Sequence, residues 1–399
     1  MPDTVFVLDL VVRSALPTSS SPLARPSRRY ASLLSLSLVS RALYHVVQPV
    51  LFTEVHISEG THQLKALLRA FEGATARASY VQSLRFVSRH READKWDLER
   101  TGRVVRLCEN VKELVVAIPT TFGLSETFLA SKSLYQLRSL TVATPLRPDA
   151  ARPRFRLESL AILEPFSRAL TLSFAPLMTS LLLPPPDVAR RDSSSSDDPE
   201  AGRAPPCALT GLVHLSLSDS HAHPFPLERF VRSLVRVVAP TLASFLAPSH
   251  THWHDYADTF SCDRPTPVHP THRLVEGCHR LERVYVPNVG HRGVIRFLPE
   301  GVRELWIGPT PVEAIGPGRV VAFEGASGFE RSKVAEVRAL LSNCRVAKLE
   351  LLVWIFVDDR QRDGDDGLGF GFDSSGEIIE LKRDLEKRGT VVRFGWWKH

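Results

Sequence analysis

The chain has 399 residues, of which 43% are hydrophobic and 24% charged, and its net charge is +6. These values are ordinary for a globular protein, and they allow one large domain plus a small appendage without requiring a nucleic-acid or acidic partner. No apolar run reaches the roughly 18 residues that a membrane span needs. Five cysteines without a Cys-x-x-Cys pair and the lack of a signal-peptide pattern predict a soluble protein of the cytoplasm or nucleus.

The first 57 residues have their own pattern. Pro2 stands at the start of a predicted first helix, where its missing N–H costs nothing. A Ser/Pro/Arg-rich linker over 17–29 follows. Apolar residues at positions 36, 39, 43, 46 and 47 then predict one amphipathic helix that Pro49 bounds.

From residue 81 onward a six-residue phrase recurs, with apolar side chains at its first, fourth and sixth positions. Its copies begin at Val81, Val111, Leu137, Leu157, Met178, Leu212, Leu281, Val302 and Val346, with a degenerate copy at Leu242. Each copy predicts a short strand whose fourth and sixth side chains point inward. Short strands that cannot bury themselves alone are expected to stack into a solenoid.

Helical patterns alternate with these strands. Apolar residues at 64, 67, 68 and 71 predict one helix, those at 334, 337, 340 and 341 a second, and a capping box over 374–377 a third that Gly389 ends before a last strand over 391–394. The fold class predicted is therefore α/β, a right-handed superhelix of strand–helix repeats over 58–399. Two segments, 184–206 and 248–272, lack a usable apolar period and are predicted to be disordered inserts.

The segment 1–57 resembles the F-box. The resemblance rests on the Pro2-Asp3 start, on Leu38-Val-Ser-Arg41 followed by an aromatic residue, and on Gln48-Pro-Val-Leu-Phe52. Together with the irregular repeats that follow, the resemblance covers nearly the whole chain. The chain as a whole resembles fungal F-box and leucine-rich-repeat proteins. The resemblance implies a small all-α module that docks on the Skp adaptor of a cullin–RING ubiquitin ligase, and a repeat domain that holds a protein substrate.

The residues that would contact the adaptor lie in the apolar parts of this segment: Pro2, Val5, Leu8, Leu36, Val39, Leu43 and Tyr44. Three short helices around so small a core would expose apolar side chains that need a partner. The alternative is that residues 1–57 only cap the open edge of the solenoid, in a leucine-rich-repeat scaffold or regulator with no ligase role. Exposure of the apolar face would favour docking, and its burial against residues 58–90 would favour the cap.

The third and fifth positions of each phrase would line the inner face of the array, where a substrate is expected to bind. The candidate contact residues are Arg85, His214, Arg283, Tyr285, Glu304, Trp306 and Glu350. Tyr285 and Trp306 fall on neighbouring repeats, and exposed Trp, Tyr and Arg dominate protein interfaces. The alternative is that inserts fold back and bury both rings.

No residue pattern indicates catalysis, a metal or a cofactor. The His-rich stretch from His250, with Cys262, matches no structural zinc spacing, and the Asp363 loop lacks the glycine and glutamate of a calcium site. Cys108, Cys278 and Cys344 precede strand phrases at similar distances and are predicted to be buried packing thiols. The sequence therefore predicts a non-enzymatic protein with a protein partner, no membrane association and little reason to bind nucleic acid.

Overall fold

A computed structural model of the 399-residue chain describes 27–58, 60–88, 96–118, 132–144, 155–162, 175–182, 207–217, 227–246, 270–286, 298–307, 349–357 and 375–397. The chain divides into two compact units. The first comprises Met1–Leu212 and Ala222–Phe225, and the second comprises Val213–His221 and Pro226–His399.

The first unit alternates helices and short parallel strands. Its elements are α1 (Ser27–Val39), α2 (Arg41–Thr53), β1 (Glu54–Ile57), α3 (Thr61–Glu72), α4 (Thr75–Ser79), β2 (Ser83–Val87), α5 (Leu98–Leu107), β3 (Glu113–Ala117), a 3-10 turn (Lys132–Leu134), β4 (Ser139–Val142), β5 (Ser159–Ile162) and α6 (Ala175–Leu182). Strands β1 to β5 pair in chain order, all parallel and without a register shift.

The second unit also contains short parallel strands with helices between several of them. Its elements are β6 (His214–Leu217), α7 (Leu227–Val238), β7 (Ser244–Leu246), α8 (Pro270–Gly277), β8 (Arg283–Val286), β9 (Glu304–Ile307), β10 (Leu351–Val357), α9 (Ser375–Lys387) and β11 (Val391–Trp397). Strands β6 to β11 also pair in chain order and in parallel. Both units therefore have the predicted α/β class.

The apolar positions of the phrase form the core, as predicted. The fourth- and sixth-position side chains are buried on strands β2 to β6, β8 and β9, for example Leu84 and Phe86 at 0% exposure. Parallel strands are buried on the face that helices cover, and here Leu64, Leu68 and Phe71 of α3 form the buried face of that helix. The predicted last helix is also confirmed: Leu381 and Leu385 are buried, and Gly389 follows with φ of 86°.

The predicted single helix before residue 50 is wrong, because the structure has two helices. Ser40 adopts an extended conformation, and its hydroxyl accepts a hydrogen bond from the backbone N–H of Leu43 at 3.1 Å, which starts α2. Pro49 lies inside α2 and does not bound it. The proline removes one helical hydrogen bond, yet the helix continues because Val50 is buried and Phe52 packs 6.0 Å from Phe71.

The segment 1–57 is also not all helical, since its last four residues form β1. Val55 and Ile57 of β1 align with Leu84 and Phe86 of β2, so β1 is a first copy of the repeat. Its phrase, Phe52-x-x-Val55-x-Ile57, has the same apolar spacing and was missed in the sequence.

Two further copies of the phrase were assigned wrongly. Residues from Met178 belong to helix α6, in which Leu177, Met178 and Leu181 are buried at helical spacing. A short run of Leu, Met and Ala suits a helix as well as a strand, so the period alone could not decide. In β10, Leu352 aligns with Leu305 of β9, so the fourth position is Leu352, three residues after the predicted Leu349.

Several predictions fall outside the described residues: the helix after Pro2, the helix at 334–341, the insert at 184–206, the insert at 248–272 as far as residue 269, and the Asp363 loop. The prediction of disorder is wrong for the last three residues of that second insert, because 270–272 form the first turn of α8. None of the described helices is long and apolar enough to cross a membrane.

Candidate interaction surfaces

Helix α1 presents an apolar surface that its partner helix leaves uncovered. Leu34, Leu38 and Val39 are 50%, 86% and 69% exposed, and these three residues are called the α1 patch below. The opposite side of α1 is buried, because Leu33 packs in a cluster with Val47 and Val50 of α2. The predicted adaptor residue Val39 therefore lies on the surface.

Leu34 and Leu38 were not among the predicted adaptor residues. A signal for them was present, because the two residues are four apart and share one helical stripe. Leu36, another predicted adaptor residue, is only partly buried and packs against the Leu33 cluster.

Helix α2 contacts α3 and α4, the two helices that follow β1. The Tyr44 hydroxyl accepts a hydrogen bond from Nη2 of Arg77 in α4 at 2.9 Å. The Arg77 guanidinium also lies 5.7 Å from the centre of the Phe52 ring, a cation–π distance. Tyr44 and Leu43 are half-buried, and Tyr44 contacts the protein's own repeat. The other predicted adaptor residues, Pro2, Val5 and Leu8, lie outside the described residues.

On the first unit, the third and fifth positions of neighbouring strands form an ionic cluster. Glu54, Ser83 and Glu113 are aligned on β1, β2 and β3. Arg85 bridges the two carboxylates, with Nη1 3.2 Å from Oε1 of Glu54 and Nη2 3.2 Å from Oε1 of Glu113. The Ser83 hydroxyl donates to Glu113 Oε2 at 2.9 Å.

The burial of Arg85 overturns one expectation. Its side chain is 9% exposed, so the prediction of an exposed arginine on this face is wrong. The strands on both sides supply carboxylates at the same level, and a desolvated guanidinium needs such partners. The carboxylates of Glu54 and Glu113 therefore neutralise the charge of Arg85 within the fold.

On the second unit, the corresponding positions of β8 and β9 hold an ion pair and a pair of stacked rings. Nη2 of Arg283 donates to Oε1 of Glu304 at 3.1 Å, and Nε donates to the other carboxylate oxygen. Tyr285 and Trp306 are aligned in the sheet, with ring centres 5.3 Å apart and planes inclined by 28°. This two-pronged ion pair and this stack fix four of the predicted substrate residues against one another.

Exposure differs among these predicted residues. Tyr285 is only 5% exposed, so its predicted exposure is wrong. Trp306 is half-buried, and its buried Nε1 has no hydrogen-bond partner among the described residues. His214 on β6 is exposed, as predicted.

The electrostatics of this region follow from that packing. The hydrogen bond to Glu304 raises the pKa of Arg283, and burial raises the pKa of Tyr285. Both groups therefore keep their neutral-pH charge states: a cation held by a carboxylate, and an uncharged phenol. The arrangement can bind and orient a partner, but these groups offer no activated nucleophile.

Glu350 does not lie at a third or fifth position of the phrase. It precedes β10 and is exposed, and its Oε1 lies 3.8 Å from Nε of Arg303. Arg138 and Glu158 of the first unit, which also precede their strands, form the equivalent pair at 3.2 Å. The prediction for Glu350 is wrong because the phrase was placed three residues too early.

The described cysteines are packing residues. Cys108, Cys207 and Cys278 are free and buried, as predicted for Cys108 and Cys278, whereas Cys344 lies outside the described residues. Burial raises the pKa of Cys108 and of Cys278 to about 12, so neither thiol is ionised near neutral pH. Within the described ranges, no group of three or more His, Cys, Asp or Glu side chains could hold a metal ion.

A scan against models of known protein families and a search of curated protein sequences find no match to this chain.

Proposed function

We propose that this protein is a non-catalytic substrate receptor of an SCF-type cullin–RING ubiquitin ligase, acting in the cytoplasm or nucleus. Residues 1–57 would bind the Skp adaptor, and the repeats, stacked as a leucine-rich-repeat solenoid, would bind a protein substrate. The observation that carries the proposal is the exposed α1 patch within a segment that resembles the F-box.

The α1 patch has the composition of a docking surface. Three large aliphatic side chains at least half exposed within six residues are unusual on a helix whose other face is already packed. Burying such a side chain in an interface contributes about 1.5–3 kcal/mol. A partner helix with a complementary apolar stripe would therefore gain more here than at any scattered surface residue.

The position of the patch suits a receptor. Helix α2 holds α1 through the Leu33 cluster and continues directly into β1, the first strand of the repeats. Arg77 ties α2 to α4 through Tyr44 and Phe52. An adaptor bound to α1 would thus stand at a fixed distance from the first repeats.

The substrate would be bound by the third- and fifth-position side chains that keep some exposure. On the second unit these are His214, Trp306 and the Arg283–Glu304 pair. The buried Tyr285 ring supports this surface, because it stacks against Trp306.

The test is co-expression of the full chain with the Skp adaptor, followed by size-exclusion chromatography. We expect co-elution at one-to-one stoichiometry for the wild type. Leu38→Asp and Val39→Asp should each abolish it, because a carboxylate at the centre of an apolar interface leaves an unpaired buried charge. Leu8→Asp should do the same, because the resemblance to the F-box places Leu8 on the adaptor-binding surface.

The matched control is Tyr135→Asp. Tyr135 is a similarly exposed large side chain, at 59%, on the repeats outside the α1 patch, so this variant should still co-elute. Circular dichroism should show every variant folded. Co-elution that persists in both Leu38→Asp and Val39→Asp would contradict the assignment of the α1 patch.

A second candidate function is a leucine-rich-repeat scaffold in which residues 1–57 only cap the first repeat. The packing of Tyr44 and Phe52 of α2 against Arg77 and Phe71 favours it. Separate elution of the adaptor and a folded, monomeric wild-type chain would support this candidate over the first.

A further inference from the structure

Among the described strands, β11 pairs with β10 alone, on one side of its backbone. All seven residues, Val391–Trp397, pair with β10, and no described strand lies on the other side of β11. The Val391 N–H donates to the carbonyl of Glu350 at 2.7 Å. Because backbone direction alternates in a parallel ladder, the N–H and C=O groups of Val392, Phe394 and Trp396 point away from β10.

This edge is longer and less protected than an ordinary one. The described strands before β10 have three to five residues, whereas β11 has seven. Natural edge strands are usually kept short or carry several charges or a proline, which prevents pairing with another chain. Within Val391–Trp397 the sequence has one charge, Arg393, and no proline, and the Val391 side chain is 52% exposed.

The surroundings of β11 are basic. From Lys382 to His399 the sequence contains six Lys and Arg residues and two acidic residues. Lys387, Arg388 and Arg393 are exposed, and none of the three forms an ion pair with a described residue. A second copy of this chain would bring the same basic groups against them, whereas an acidic segment would be attracted.

We propose that the free edge of β11 binds an extended, acidic segment of another protein as an added strand. The backbone of that segment would pair with Val392, Phe394 and Trp396, and its carboxylates would meet Arg388 and Arg393. Strand addition of this kind draws affinity from main-chain hydrogen bonds and selectivity from the side chains that flank them. The proposal is independent of the α1 patch and of adaptor binding.

The first experiment measures binding of a fluorescently labelled synthetic peptide, Glu-Val-Asp-Val-Glu-Val-Asp, to the full chain by anisotropy. We expect saturable binding that weakens as salt rises, because exposed charges are screened. The same peptide with alternate backbone nitrogens methylated, and a peptide with Lys in place of every Glu and Asp, should bind at least about tenfold more weakly. Equal binding of the methylated peptide would overturn strand addition.

The second experiment changes the protein. Phe394→Pro removes an outward N–H but none of those that pair with β10, and it should weaken binding about tenfold. Arg393→Glu should reverse the preference, so that the Lys peptide binds better than the acidic one. Because Arg393 is exposed, this variant tests the edge even if Phe394→Pro is unfolded.

The control is Arg236→Glu, which makes the same change of net charge at an exposed residue of α7. It should leave binding of the acidic peptide within about twofold of the wild type. Unaltered peptide preference in Arg393→Glu, or an equal loss in Arg236→Glu, would overturn the assignment to β11. All three variants should still co-elute with the adaptor, so failure here is distinguishable from failure of the proposed function.

Discussion

The third and fifth positions of the phrase differ between the two units, and they show how one repeated phrase produces two different surfaces. In the first unit, Arg85 lies between two carboxylates and is almost fully buried. In the second unit, Glu304 supplies the carboxylate that pairs with Arg283, and the Arg283 side chain is 42% exposed. The position within the phrase fixes the direction of a side chain, but the residues at the same level on the neighbouring strands decide whether it can reach a partner.

The largest expected effect contrasts the two arginines. Arg85→Ala leaves Glu54 and Glu113 close together without their cation, and should lower the free energy of unfolding by about 3–5 kcal/mol. Arg283→Ala should cost about 1 kcal/mol or less, because its pair is partly exposed. Urea denaturation of both variants measures the difference, and equal costs would contradict the contrast. Adding Glu54→Gln and Glu113→Gln to Arg85→Ala should restore part of the loss.

The stacked rings give the next effect. Tyr285→Ala should cost about 3 kcal/mol because the ring is buried, and Trp306→Ala should cost less because the indole is half-exposed. A double-mutant cycle should give a coupling of about 1 kcal/mol for the stack. If Trp306→Ala also abolishes substrate capture while Tyr285→Phe does not, Trp306 is the contact residue and Tyr285 its support. Strictly additive costs would show that the two rings do not interact.

Two helical glycines extend the comparison to the outer layer. In the second unit, a Cβ on Gly277 would lie 2.5 Å from Cγ1 of Val235, so Gly277→Ala should cost about 2 kcal/mol. In the first unit, a Cβ on Gly102 would meet only Nη1 of Arg106 at 3.7 Å. Gly102→Ala should therefore raise stability by about 0.5–1 kcal/mol through helix propensity. Thermal unfolding of both variants tests the opposite signs.

The smallest expected effect is on stability at alkaline pH, and it should be similar for one buried cysteine in each unit. Burial raises the pKa of Cys108 and Cys278 from 9.0 to about 12. The unfolded thiols ionise above about pH 9 while the folded ones stay protonated, so their contribution is complete below pH 9 and is lost between pH 9 and 12. Cys108→Ala and Cys278→Ala should each make the alkaline loss of stability less steep. Unchanged slopes, or rapid modification of either thiol in the native protein at pH 8, would contradict their burial.

The sequence predicts the part of the fold that depends only on the spacing of apolar residues along a strand or helix. Leu84, Leu140 and Leu305 are buried at their assigned positions because alternation along a strand leaves no other choice. Where an apolar run offers several registers, as at 349–354, the period cannot choose, and Leu352 was missed. At Met178 the same spacing suited a helix.

The candidate sites were less predictable, for a different reason. Exposure of Arg85 and Tyr285 depends on what lies beside them on other strands, about 30 or 20 residues away in the sequence, and no local pattern records it. Val39 was assigned to the adaptor surface from an apolar spacing that was expected to run on through Ser40, but α1 ends at Val39. Leu34 and Leu38 were missed because that single helix placed its apolar stripe at 36, 39, 43, 46 and 47, although their separation of four residues indicates a stripe on α1.

The direct passage from α2 into β1 determines where this chain can be cut. Thr53 ends the helix and Glu54 begins the strand, so a chain shortened to start at residue 58 would lose the first rung of the sheet. Arg85 would then keep Glu113 and lose Glu54, and the edge of β2 would be bare. Exchanging the amino-terminal helices for those of another protein should therefore preserve folding only when the junction leaves Glu54–Ile57 with the repeats. Strand β1 belongs to the sheet, although it follows α2 without a linker.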